Sequence, residues 1–130
     1  MKTIKFFSGV TVLAILIFAS CKKPIPNTDY AAKADCTVLI DSLNTYTKSV
    51  GVIFNARCAY SPCHDANTAK HKVMLNNYSN VVAAVNKYPT RFLCAIHQDG
   101  GTPHMPKKSP MLPDSLITKI DCWVKGGMKE

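Results

Sequence analysis

The sequence predicts a small, mainly helical domain, and three observations carry that expectation. Apolar residues recur at helical spacing through the second half, no alternating run is long enough for a sheet, and the turn and proline signals fall between the helical runs. One hundred and thirty residues suffice for one domain and not for two. A chain that is 47% apolar and 18% charged, with a formal charge of +8, is neither disordered nor a many-pass membrane protein. Six cysteines in so short a chain point to an exported protein, because structural disulfides do not persist in the reducing cytosol.

The first twenty residues read as a leader. Lys2 and Lys5 give a positive start, and the apolar stretch from Val10 to Ala19 is too short for a comfortable membrane span. It ends Phe18-Ala19-Ser20-Cys21, which resembles the lipobox of bacterial lipoproteins, with Phe18 where an aliphatic residue is usual. The resemblance implies lipidation of Cys21 and a mature protein anchored to a membrane without spanning it, in the cell envelope of a bacterium and facing the periplasm or the surface. An ordinary signal peptide, cut near Ala19 or Ser20, is the other reading. Removing residues 1–20 leaves 110 residues and, with Lys2 and Lys5 gone, a formal charge of +6. Residues 22–34 are rich in proline and polar groups and read as a tether, so the fold is expected to begin near Asp35.

From Asp35, Leu39, Ile40, Leu43 and Tyr46 recur at helical spacing. A second helix is expected from Ser49 to Cys58 through Val50, Ile53 and Phe54, and residues 59–78 read as loop. Helices around 80–87 and 90–97 are divided by Pro89, and Asp99-Gly100-Gly101 stops the latter. Four prolines make residues 102–113 an extended loop. A last helix from Pro113 or Asp114 buries Leu116, Ile117, Ile120 and Trp123–Val124, and ends at Gly126-Gly127. So small a core needs a staple: disulfides, a metal or a large prosthetic group.

Cys58-Ala59-Tyr60-Ser61-Pro62-Cys63-His64 is the most informative stretch. Two thiols followed by an imidazole are what covalent haem attachment requires, although the common signature has two residues between the cysteines and this chain has four. Two other readings use the same residues: a Cys58–Cys63 disulfide, or zinc held with help from Cys36, His71 or His97. Further on, His104-Met105-Pro106 lies in the proline-rich loop, 41 residues after His64, where stiff backbone could present a thioether to iron.

Phe54 four residues before Cys58, then Cys63-His64, Met105-Pro106 and Ile120-x-x-Trp123-Val124-x-x-Gly127 together resemble a class I cytochrome c domain, most closely the small lipoprotein-borne kind. The resemblance covers residues 49–130. It implies a cytochrome c-like bundle of helices around one covalent haem c, with thioethers at Cys58 and Cys63 and axial ligation by His64 and Met105. The four-residue spacing departs from the family, as does Gly51, one place from the position where a glycine four residues before Phe54 would stand. His97 and His104 are the rival axial ligands. The fold so implied also places Cys94 and Cys122 on neighbouring helices, where they are expected to pair; Cys36 with either is the alternative.

The expected function is electron carriage between redox proteins by a membrane-anchored monohaem cytochrome, not an enzyme, since no catalytic acid–base pair is evident. Arg91 and the lysines at 70, 72, 107 and 108 would favour acidic redox partners. Nucleic acid is excluded as a partner by export and by the lack of an aromatic-interleaved basic pattern. The other function classes are a binding or structural lipoprotein stapled by disulfides or zinc, and a haem sensor or peroxidase-like protein in which Met105 dissociates to admit a small ligand.

Overall fold

A computed structural model describes residues 29–130; the leader, the lipobox with Cys21 and most of the expected tether lie outside the described residues. Within them the fold is helical, without a strand: α1 Tyr30–Lys33, α2 Gly51–Arg57, α3 Tyr78–Lys87, α4 Pro89–Ile96 and α5 Asp114–Lys125. No described helix is long and apolar enough to cross a membrane.

The fold begins earlier than Asp35. Asp29 caps α1 by accepting a bond from the Ala32 amide at 3.0 Å, and α1 packs on α4 and α5. Four residues carry too little periodicity to be read as a helix, so α1 owes its form to the surface it meets. The helix expected from Asp35 to Tyr46 does not form: only Asp41–Leu43 make a 3₁₀ turn, and Val38, Ile40 and Leu43 are exposed. A Cys36–Cys122 disulfide and a bond from Asn44 Nδ2 to the Lys119 carbonyl (3.0 Å) draw this segment across α5.

Thr45 opens the next helical stretch, its side chain accepting from the Lys48 amide, and a π-type turn over Tyr46–Val50 runs straight into α2. Gly51 is required at that junction, because a Cβ there would lie 2.8 Å from the Tyr46 carbonyl and 2.9 Å from its ring. α3 is capped by Asn77, α4 starts with Pro89 at its first position, and α5 carries Asp114 in its first turn and Lys125 in its last. Each therefore matches the boundary signals in the sequence to within about two residues.

The core is centred on Phe54, Val50, Val81, Ile120 and Trp123, all essentially without solvent contact. The Phe54 and Trp123 rings meet edge-on at 6.4 Å, tying α2 to α5. The chain end folds back over them: the Lys129 carbonyl accepts from the Trp123 indole (2.7 Å) and from the Tyr46 amide (2.9 Å). The polar edge of a buried tryptophan is thereby satisfied without breaking the core.

Candidate functional site

α2 ends by delivering Cys58 into the loop that carries His64. The Cys58 and Ala59 amides both close on the Phe54 carbonyl, and the His64 amide donates back to the Cys58 carbonyl at 3.1 Å. The Cys63 amide donates to Tyr60 and the Cys63 carbonyl accepts from Lys70, so both cysteines sit in a tightly bonded loop. They are half-buried and carry no disulfide between them. Burial, and then the neighbouring Cys63, pushes the Cys58 thiol up to about 12, which keeps it protonated at neutral pH.

The imidazole of His64 is oriented from behind. Its Nδ1 lies 2.9 Å from the Val73 carbonyl oxygen, and the Leu75 amide donates to the His64 carbonyl at 2.9 Å. A backbone carbonyl has only lone pairs to offer, so the ring proton resides on Nδ1 and the lone pair on Nε2. The turn that brings Val73 there is strained: Ala69, His71 and Lys72 all have positive φ without being glycine. Sequence reasoning found His64 and missed Val73, since a main-chain acceptor leaves no mark in the side-chain pattern.

Met105 is half-buried in the proline-rich loop, and its amide donates to the Ala95 carbonyl of α4 at 2.8 Å. Its backbone is thus fixed to α4, while no hydrogen bond among the described residues joins it to the Cys58–Val73 loop. Of the rival ligands, His104 is exposed and His97 is engaged elsewhere. His97 Nε2 lies 2.8 Å from Asp121 Oδ2, and the Tyr30 ring stacks on the imidazole at 3.6 Å and 12°. Burial pushes the Asp121 carboxyl up, opposed by His97. Tyr30 in turn donates to Asp99, and its hydroxyl is pushed up to about 12, first by burial and then by that bond. Asp121 could have been noticed as a lone acid on an otherwise apolar helix face; Tyr30 could not.

The expected Cys94–Cys122 disulfide is corrected to Cys36–Cys122. Cys94 is buried in α4 outside that bridge, whereas Cys36 lies on the segment drawn across α5. This pairing, with His97 held by Asp121, also removes two of the donors that a zinc site would have used. No group of three or more histidine, cysteine or acidic side chains converges among the described residues. Among the described residues one open groove lies beside Gly51, Asn76 and Asn80 and another beside Val38, Val52 and Lys119; neither is lined by Cys58, Cys63, His64 or Met105.

The donor set nevertheless fits a covalent haem by its chemistry: two thiols not bonded to each other, an adjoining imidazole with Nε2 available, and a thioether on a loop fixed to α4. No family model matches the chain, and neither a curated protein nor a solved structure does.

Proposed function

We propose that this protein is a monohaem c-type cytochrome, tethered to a membrane through lipidated Cys21, that carries single electrons between redox partners in the bacterial cell envelope. The observation that carries the reading is the bond between His64 Nδ1 and the Val73 carbonyl beside two thiols left unpaired. A covalently attached haem supplies the redox-active iron, alternating between Fe(III) and Fe(II).

The chain's own residues do the rest. Cys58 and Cys63 would hold the group as thioethers, and their place in a bonded loop at the end of α2 limits how far it can shift. His64 would ligate through Nε2, and Val73, by holding the Nδ1 proton, fixes the ring plane and raises the basicity of that nitrogen. Met105 would hold the group through its thioether, which would raise the potential relative to a second histidine. With His64 and Met105 both holding the group, the chain would leave no open place on it for a substrate, and the protein would act as a carrier and not as an enzyme. The exposed basic groups Arg91, Lys70, Lys72, Lys107 and Lys108 would steer acidic redox proteins to it.

The test is the absorption spectrum of protein made in a host able to attach haem. The reading expects a sharp α-band on reduction, a weak near-infrared band on oxidation, and no carbon monoxide binding without denaturant. Carbon monoxide binding to the native reduced protein would assign a sensor instead. A colourless protein would leave a lipoprotein stapled by Cys36–Cys122, the reading that this disulfide favours.

A further inference from the structure

The described surface carries a concentrated apolar face along the outer side of α2, the helix that leads into the Cys58–His64 loop. Val38, Ile40 and Val52 are 73%, 66% and 64% exposed, and Leu43 is 50% exposed. All four line the same open groove, between the segment that follows Cys36 and the outer side of α2. Three cations, Lys48, Arg57 and Lys119, line it with them. The neighbouring acid, Asp41, is neutralised by Lys129, whose Nζ lies 2.5 Å from its carboxylate. Apolar side chains bordered by positive charge complement one surface in particular, an anionic lipid bilayer, which accepts the first among its acyl chains and the second at its headgroups.

Chain length places such a surface within reach, on the reading that Cys21 is lipidated. Tyr30 is stacked on His97, and the Lys125 ammonium donates to the Ala32 and Ala34 carbonyls at 3.1 and 2.9 Å, so the start of the fold is pinned to α4 and α5. Tyr30 follows Cys21 by nine chain steps, and at no more than about 3.6 Å each they span at most roughly 32 Å. A domain held that close meets the bilayer at high effective concentration, and weak surface contacts then suffice to orient it.

We infer that the face formed by Val38, Ile40, Leu43 and Val52, with Lys48, Arg57 and Lys119, docks the domain on the anionic bilayer that carries its anchor. Docking there sets which way the domain faces, with Met105 outside the docked groove.

The test uses the haem-loaded mature chain carrying Cys21→Ser, so that no acyl chain contributes, and vesicle co-sedimentation. At roughly fivefold per basic group, three cations give on the order of a hundredfold tighter partition onto phosphatidylglycerol vesicles than onto phosphatidylcholine vesicles. Ile40→Asp and Val52→Asp each lower binding to phosphatidylglycerol roughly tenfold or more while leaving the visible spectrum and the Cys36–Cys122 bridge unchanged. No binding to either vesicle overturns the proposal, and so does self-association that Ile40→Asp abolishes, since the face would then serve a second copy. Lipidation is read separately, from the mass of the membrane-extracted wild type, so failure of the anchor and failure of the docking face are distinguishable.

Discussion

His64 Nδ1 and the Val73 carbonyl oxygen, nine residues apart, meet at 2.9 Å and fix which nitrogen of the imidazole is free. The acceptor is backbone, so no side-chain substitution removes it directly. Val73→Pro acts on it through geometry, because proline would fix φ near −65° where the structure has −111°, and would remove the amide bonded to Lys70. The expected outcome is a protein that still attaches haem but whose redox titration gives a lower yield of the native His64–Met105 spectrum. Val73→Ala, which keeps the backbone, leaves the spectrum unchanged.

Met105→His is expected to retain covalent haem and lose the near-infrared band, with a lower potential by redox titration. His97→Ala is expected to leave the spectrum alone, since that imidazole is held between Asp121 and Tyr30. A spectral change in His97→Ala with none in Met105→His would exchange their roles.

The Cys36–Cys122 bridge closes a loop of 86 residues, for which chain entropy predicts a stabilisation of about 4–5 kcal/mol. Cys122→Ser should lower the unfolding free energy by that order in guanidinium titrations. Peptide mapping under non-reducing conditions should recover Cys36 joined to Cys122 and Cys94 outside the bridge.

Gly51→Ala should cost about 1–3 kcal/mol, because the new methyl group meets the Tyr46 carbonyl and ring and neither can yield freely. The same measurement on Gly127→Ala reads a different mechanism. Nothing lies within 4 Å of a Cβ there, so any loss reflects only its φ of +83°.

Alkaline pH should release α1. The Tyr30 hydroxyl titrates at 10.0 when unperturbed and at about 12 in the fold, raised by burial and by Asp99. A raised folded value means that its contribution is complete below about pH 10 and is lost as pH climbs through about 12. Tyr46, raised by burial, and Tyr60, raised by its bond to Cys63, also titrate late, so the group that belongs to Tyr30 is the part of the late tyrosinate absorbance that Tyr30→Phe removes, together with a near-ultraviolet circular dichroism change absent from that variant.

Much of this arrangement is legible in the sequence. α3, α4 and α5 carry both an apolar face and a boundary signal, in Asn77, Pro89 and Gly126-Gly127, and helices specified twice are hard to misread. Residues 35–43 have the face without the packing: Ile40 and Leu43 sit at helical spacing yet remain exposed, because the disulfide at Cys36 and the Asn44–Lys119 bond hold the backbone across α5 in another conformation. Cysteine pairing depends on which segments cross, and spacing along the chain does not encode that. At the site, Cys58, Cys63 and His64 are visible as residue types, whereas the acceptor behind His64 and the Tyr30–His97 stack exist only once the chain has folded.

The most direct test of the central claim is the intact mass of denatured protein produced in a host able to attach haem, compared with Cys58→Ser/Cys63→Ser. Covalent attachment predicts the mass of the mature chain plus one haem in the wild type, and the bare chain in the double variant. A wild type without the added haem, lighter by two hydrogens for a Cys58–Cys63 bridge beyond the Cys36–Cys122 one, would contradict it.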